Sequence, residues 1–167
     1  MRFVCPGSFD PITYGHVDII RRGAKLCSHM VVAVLCNPSK SLVFSAGERA
    51  ELIKRTLVGC GISAEVDIFS GLLADYAKKM GADAILRGLR NSQDFLTEYP
   101  YSVYNIKLSG GVETIFLPGS PNFSYVSSGI VKEAAKLLYE NEGECSAIDE
   151  WVPLHVKEAL RSKFFKG

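Results

Sequence analysis

The stretch Gly7-Ser8-Phe9-Asp10-Pro11-Ile12-Thr13-Tyr14-Gly15-His16 connects the apolar run 2–5 to the first helical pattern of the chain. A strand that ends before this stretch and a helix that begins near its end leave unpaired backbone N–H groups facing one point beyond the sheet. Anions bind readily at such points. The hydroxyl of Thr13, the small Gly15 and the imidazole of His16 add hydrogen-bonding chemistry, so the stretch predicts a site for a nucleotide phosphate.

The composition around this stretch indicates a single domain, which we place at residues 1–167. A chain of this length can bury a sizeable core without disulfides or metals. Its 19 Lys and Arg residues nearly balance 18 Asp and Glu residues, so composition predicts no nucleic-acid partner and no membrane partner. Any anion site in the chain must therefore be local.

The five cysteines lie at positions 5, 27, 36, 60 and 145 and form no C-x-x-C pair. Such spacing favours reduced thiols over a zinc or redox motif. No apolar run approaches the ~18 residues that a membrane span needs, and the first residues do not resemble a signal peptide. The sequence thus predicts a soluble, cytoplasmic protein.

Alternating patterns predict an α/β fold built on a parallel sheet. The run 30–36 (MVVAVLC) is continuously apolar, which is typical of a strand that helices cover on both faces. The predicted strands are 2–5, 30–36, 66–69, 84–86 and 113–117, and the predicted helices are 17–28, 46–58, 72–80, 93–108, 127–141 and one after 151–153. Pro100 is expected to kink or split the fourth helix because it lacks a backbone donor.

Five strands that alternate with helices favour a Rossmann-like, doubly wound five-stranded parallel sheet in the order 3-2-1-4-5, with C-terminal helices. Ligands of such sheets bind beyond the carboxyl ends of the strands, where the strand order reverses. This point lies between strands 1 and 4, so the turns 7–16 and 87–90 should be neighbours. The loop 118–129 should lie on the same rim.

Several separate motifs carry a resemblance to a known family. They are Gly7-x-Phe9-Asp10-Pro11-x-Thr13-x-Gly15-His16, Lys40 after Asn37-Pro38-Ser39, Arg87-Gly88-Leu89-Arg90 with Asp94-Phe95 and Glu98, and Val126-Ser127-Ser128. In this order and at these separations they resemble the nucleotidyltransferase superfamily with the (T/H)xGH signature. Within that superfamily the sequence resembles the bacterial phosphopantetheine adenylyltransferases, over about residues 2 to 160.

The resemblance implies that an adenylyl group passes from ATP to 4′-phosphopantetheine, giving dephospho-coenzyme A and pyrophosphate. The acceptor phosphate would attack the α-phosphorus in line, which requires no protein nucleophile. The matching histidine of the family donates a hydrogen bond to the α-phosphate in the transition state. The resemblance therefore implies His16 as the catalytic residue.

The remaining site residues are also implied by the resemblance. Those matching the acceptor site are Ser8, Lys40, Leu73 and Arg87. Those matching the ATP site are Ser8, Phe9, His16, Gly88, Leu89, Arg90, Glu98, Phe123, Ser124, Tyr125, Val126, Ser127, Ser128 and Gly129. The chain departs from the family at Gly129, which stands where relatives carry a third hydroxyl.

Magnesium is implied by the reaction, and the sequence offers no clustered carboxylates to bind it. We expect Mg2+ to arrive on the ATP phosphates, with no metal ligand from the protein. By resemblance we also expect a homohexamer, with coenzyme A as a feedback inhibitor at the active site.

Two other functions remain open from the residues. One is an adenylyl- or cytidylyltransferase of the same superfamily that uses another acceptor, such as nicotinamide mononucleotide or an alcohol phosphate. The other is a non-catalytic nucleotide-binding domain, which the intact His16, Lys40, Arg87 and Arg90 disfavour.

Overall fold

The computed structural model describes residues 1–37, 41–140 and 147–165. Its strands are β1 (Arg2–Gly7), β2 (His29–Cys36), β3 (Glu65–Ser70), β4 (Ala84–Leu89) and β5 (Glu113–Pro118). Its helices are α1 (Tyr14–Ala24), α2 (Ala46–Gly59), α3 (Leu73–Lys79), α4 (Ser92–Ser109), α5 (Ser128–Glu140), α6 (Ala147–Trp151) and α7 (Leu154–Phe164), with a 3-10 turn at Pro121–Phe123.

The predicted fold is confirmed. The five strands form one sheet in the order β3-β2-β1-β4-β5, and every neighbouring pair is parallel. The chain therefore starts in the middle of the sheet, winds to one edge and returns to build the other. The order reverses between β1 and β4, so their carboxyl ends open the crevice at which ligands bind in such sheets.

The inner strand β2 is buried on both faces, as its apolar run predicted. Met30, Val32 and Val34 belong to the larger core cluster, which also includes residues of α1, α2, α5 and α7. Val31 and Ala33 point the other way, into a smaller cluster that includes residues of α3. Successive residues of a strand face opposite sides, so a fully buried strand has no polar position to alternate with.

Helix α1 lies very close to β4, and glycines permit the approach. A Cβ atom at Gly23 would lie 2.2 Å from Leu86 Cδ2, and one at Gly88 would lie 2.6 Å from Ile19 Cγ1. Neither distance is tolerable in a packed interior. The two glycines therefore fix how near the first helix comes to the strand that carries Arg87.

Several details of the sequence prediction differ from the structure. Pro100 does not split α4, which runs as one helix through it. Strand β4 does not end at Leu86, because Arg87, Gly88 and Leu89 pair in register with residues 116–118 of β5. Helix α1 begins at Tyr14, three residues earlier than expected, because Thr13 caps it. The short α6 was not predicted at all.

No helix among the described residues is both long and apolar enough to cross a membrane.

The glycine contact between α1 and β4 gives a stability prediction. Gly23→Ala should lower the free energy of unfolding by about 1–3 kcal/mol, because the added methyl overpacks the buried Leu86. Gly47→Ala is the matched control, since a Cβ there meets nothing within 4 Å and alanine favours a helix by up to about 1 kcal/mol. Urea denaturation of both variants measures the difference, and equal stability would contradict the predicted overpacking at position 23.

Candidate active site

A cavity of about 320 Å³ opens at the carboxyl ends of β1 and β4, at the predicted point. The turn after β1, the end of β4, the first turns of α4 and the loop before α5 all contribute to its lining. The segments 7–16 and 87–90 are therefore neighbours, as the strand order predicted.

His16 lies on the first turn of α1, where local hydrogen bonds fix its ring. The backbone N–H of Thr13 donates to His16 Nδ1 at 3.1 Å, and Thr13 Oγ1 accepts from the backbone N–H of His16 at 3.5 Å. Thr13 Oγ1 also lies 3.0 Å from Nδ1. These bonds form a capping box in which histidine takes the place usually filled by Glu or Gln.

The capping box also decides which tautomer His16 adopts. Because Nδ1 accepts the Thr13 N–H, the proton of the neutral ring must sit on Nε2. Burial, reinforced by the charges of Arg90 and Arg87, lowers the pKa of His16 from 6.5 to about 4. At neutral pH the ring is therefore an uncharged donor through Nε2–H.

The ring of Phe9 packs against the ring of His16. The Phe9 ring is buried and meets the His16 ring edge-on, with centroids 5.1 Å apart. The Phe9 backbone has φ of 48°, a left-handed conformation that side chains rarely adopt and that is often found at functional sites. Gly7 makes room for this ring, since a Cβ at position 7 would lie 2.8 Å from it.

Asp10 does not face the cavity as a metal ligand would. Its buried carboxylate accepts from the backbone N–H groups of Val43 at 3.1 Å and Phe44 at 2.9 Å. Lys132 of α5 donates to the same carboxylate at 2.8 Å. Both oxygens are therefore engaged, and Asp10 joins three distant segments around the site.

The buried Arg49 of α2 provides a second link to the turn after β1. It donates to the backbone carbonyls of Ser8 at 2.5 Å, Leu35 at 3.1 Å and Phe44 at 3.2 Å. Sequence reasoning did not predict this role, because an arginine on a helix is ordinarily exposed to solvent. Arg49 fixes the carbonyl of Ser8, which lines the cavity.

Two arginines line the cavity, and each pairs with a carboxylate of α4. Arg87 donates through Nε to Glu98 Oε2 at 2.8 Å, through Nη2 to Glu98 Oε1, and through Nη1 to the carbonyl of Pro6 at 2.7 Å. Arg90 donates to both oxygens of Asp94, at 2.9 and 3.0 Å. The hydrogen bonds from Arg90 hold the pKa of Asp94 below its usual value.

The serine pair 127–128 holds the start of α5 against the first turn. Ser127 Oγ accepts from the backbone N–H of Ile130 at 3.2 Å, and Ser128 Oγ donates to the carbonyl of Pro11 at 2.7 Å. The N-termini of α1 and α5 therefore both border the cavity, which places two partial positive charges beside it.

Most residues predicted for the site line this one cavity. They are Ser8, Phe9, His16, Arg87, Gly88, Arg90, Glu98, Phe123, Val126, Ser127 and Ser128. The residues predicted for the site that do not line it are Leu73, Leu89, Ser124, Tyr125 and Gly129. Leu73 instead packs against the smaller core cluster, and Lys40 lies outside the described residues.

Asp94, Gly119 and Ser120 line the cavity without having been assigned a role from the sequence. Asp94 follows Arg90 by four residues, a spacing at which ion pairs form. Gly119 donates its N–H to the carbonyl of Leu89 at 2.7 Å, which ties the ends of β4 and β5 together. The sequence feature that could have identified Gly119 and Ser120 is their position immediately after a strand.

The cavity also contains a thiol, that of Cys5. Burial raises the pKa of this thiol to about 11, although Arg87 acts in the opposite direction. The thiol stays protonated at neutral pH and is a poor nucleophile. Among the described residues no group of three or more His, Cys, Asp or Glu side chains could hold a metal ion.

Comparison with known proteins gives relatives of two kinds. The family profile of the cytidylyltransferase-like proteins matches residues 4–134. The phosphopantetheine adenylyltransferase of Caldanaerobacter subterraneus subsp. tengcongensis is 49% identical over 164 residues, covering 98% of both chains. That of Geobacter metallireducens is 45% identical over 163 residues, covering 98% of this chain and 95% of the relative.

Solved structures with lower identity share the fold. Plasmodium falciparum nicotinic acid mononucleotide adenylyltransferase, complexed with NaAD, superposes with a TM-score of 0.64 at 13% identity, over 96% of this chain and 94% of the other. A lipopolysaccharide core biosynthesis protein from Thermoplasma volcanium superposes with a TM-score of 0.56 at 21% identity, over 72% of this chain and 98% of the other.

The lowered pKa of His16 predicts how stability depends on pH. The unfolded chain binds a proton near pH 6.5 that the folded chain does not bind until about pH 4, so the free energy of unfolding should fall as the pH falls through this range. The loss attributable to His16 is about 2 kcal/mol at pH 5.

His16→Gln tests this prediction, because glutamine completes an ordinary capping box but does not titrate. Chemical denaturation at pH 7 and pH 5 should show a smaller loss of stability for His16→Gln than for the wild type. An unchanged pH dependence in His16→Gln would contradict the lowered pKa.

Proposed function

The chain belongs to the phosphopantetheine adenylyltransferase family, within the cytidylyltransferase-like proteins, and we propose that it transfers the adenylyl group of ATP to 4′-phosphopantetheine. The products are dephospho-coenzyme A and pyrophosphate. The resemblance in sequence is thus confirmed at the level of the family, and the chain is a nucleotidyltransferase. The observation that carries the proposal is the fixed, neutral His16 in a cavity shared with two arginines.

In the proposed reaction an oxygen of the acceptor phosphate attacks the α-phosphorus of ATP. The new oxygen–phosphorus bond forms as the bond to the bridging oxygen breaks, and pyrophosphate leaves with the bonding electrons. Negative charge accumulates on the equatorial oxygens in the transition state. His16 Nε2–H donates to one of these oxygens, and its rigid capping box means that little reorganisation is needed.

The charged groups of the cavity suit two phosphorylated substrates. Arg87 would bind the acceptor phosphate and Arg90 the ATP phosphates, since a guanidinium can bind phosphate through two parallel hydrogen bonds. Lys40 would join Arg87 at the acceptor, and Leu73 would contact the pantetheine arm. The N-termini of α1 and α5 would stabilise the triphosphate.

Magnesium enters the proposal as part of the MgATP substrate. Mg2+ usually keeps several waters and is bound largely by substrate phosphates. The described residues provide no cluster of ligands for it, and both carboxylate oxygens of Asp10 are already engaged. We therefore assign no protein ligand to the ion.

Assembly into a homohexamer is also proposed, with α4 as a contact surface. This helix buries only Ser102 and Ser109, while large apolar side chains along it are exposed. They are Phe95, Leu96, Tyr99, Tyr101, Val103, Tyr104 and Leu108. A run of this kind is typical of a surface between protein chains. We further propose a cytoplasmic location, where ATP is available, and feedback inhibition by coenzyme A at the cavity.

Pyrophosphate release tests the proposed reaction. With ATP and a panel of acceptors, release should occur with 4′-phosphopantetheine and not with nicotinamide mononucleotide or an alcohol phosphate. His16→Ala should lower kcat on the order of 10²-fold or more, because one positioned donor is lost. If pyrophosphate is released only with an acceptor other than 4′-phosphopantetheine, the chain catalyses a different reaction of the superfamily. If it is released with none of the acceptors, the proposed adenylyltransferase activity is excluded.

A surface substitution tests the proposed assembly. Tyr101→Glu places a charge among the exposed apolar side chains of α4, where Tyr101 is 62% exposed, and should lower the mass found by light scattering. Leu154→Glu is the matched control, since Leu154 is 67% exposed on α7, and should leave the mass unchanged. A monomeric wild type would contradict the proposal.

A further inference from the structure

The carboxylate of Glu98 binds the Nε and Nη2 side of the Arg87 guanidinium. This side is also well suited to binding a phosphate. The two carboxylate oxygens accept from Nε and Nη2 of Arg87, in the side-by-side arrangement that a phosphate group can also adopt. Both side chains are partly open to solvent, at 28% for Arg87 and 21% for Glu98. The pair therefore lies in the cavity, where a substrate can reach it.

The charged groups of the described cavity lining cancel one another. Arg87 and Arg90 are the positive side chains, and Glu98 and Asp94 are the negative ones, while His16 is neutral at pH 7. A site for phosphorylated substrates whose arginines are already paired must give up some of this pairing on binding, because the carboxylates would otherwise repel the incoming phosphates.

The two ion pairs are not equally able to open. Asp94 also accepts from the backbone N–H of Arg90 at 2.8 Å, and it lies in the first turn of α4, where a negative charge is stabilised. Glu98 lies one turn further along, and each of its described hydrogen bonds comes from the Arg87 side chain. Glu98 is therefore the carboxylate that can leave.

We infer that Glu98 occupies the acceptor's phosphate subsite on Arg87 in the free protein, and that binding exchanges this carboxylate for the acceptor phosphate. The inference rests on the proposed function for the identity of the acceptor. No covalent bond changes in the exchange. Arg87 keeps its hydrogen bond to the Pro6 carbonyl, which holds the guanidinium in place while its partner changes.

The exchange predicts that removing the charge of Glu98 strengthens acceptor binding. If the acceptor can bind only when the Arg87–Glu98 pair is broken, its apparent affinity is reduced to the fraction of molecules in which the pair is broken. If the pair is open about one-tenth of the time, Glu98→Gln and Glu98→Ala should each bind 4′-phosphopantetheine about tenfold more tightly. A residue that merely supported the structure would give weaker binding on substitution.

Isothermal titration calorimetry of the full chain measures these affinities, with 4′-phosphopantetheine and with inorganic phosphate as separate probes. Glu113→Gln is the matched control, because Glu113 is exposed at the amino end of β5, away from the cavity, and its affinity should equal that of the wild type. In an Arg87→Met background, Glu98→Gln should no longer strengthen binding, since the two residues act through one contact.

Unchanged or weaker binding of both probes by Glu98→Gln and Glu98→Ala would overturn the exchange. The outcome is separable from that of the proposed function. If the wild type releases pyrophosphate with 4′-phosphopantetheine but the variants bind it no more tightly, the exchange alone is wrong. If the wild type releases no pyrophosphate with 4′-phosphopantetheine but the variants bind inorganic phosphate more tightly, the exchange holds and the proposed acceptor is wrong.

Discussion

The arrangement of the active site depends on the buried carboxylate of Asp10. It joins the turn after β1 to Val43 and Phe44, which lie 33 and 34 residues away, and to Lys132, which lies 122 residues away. A buried charge is costly unless it is paired and hydrogen-bonded, and Asp10 meets this requirement in the arrangement that the structure shows for the three segments. That arrangement brings the start of α5 beside the turn that carries His16.

A steric constraint sets the other wall of the cavity. Gly23 and Gly88 let α1 lie against β4 without a Cβ between them, so the helix that begins at Tyr14 stays close to the strand that carries Arg87. The His16 ring is then near enough to both arginines for their charges to lower its pKa. Packing at these glycines thereby helps to keep the histidine neutral.

The electrostatics of the cavity follow from these two constraints. His16 is an uncharged donor, and the arginines are paired with carboxylates on successive turns of α4. These pairings avoid unpaired charge in a half-buried site, which would be unfavourable. Under the proposed exchange, positive charge becomes available to phosphate when the Glu98 carboxylate is displaced, so the contacts that stabilise the site also influence how it binds substrate.

The sequence by itself determined the features that depend on local interactions. The buried run in β2 and the alternation of strands and helices involve residues within a few positions of each other, and each has its own pattern. The contact of Thr13 with His16 is equally local, although it was not predicted from the sequence. Only the tertiary structure decided the partners of Asp10 and Arg49, the pairing of Arg87 with Glu98, and the extension of β4 through Leu89. The physical reason is that many of these partners are distant backbone groups, which every residue offers alike. The charged partners Glu98 and Lys132 are each one of many such residues in the chain, so residue type alone does not mark them in advance.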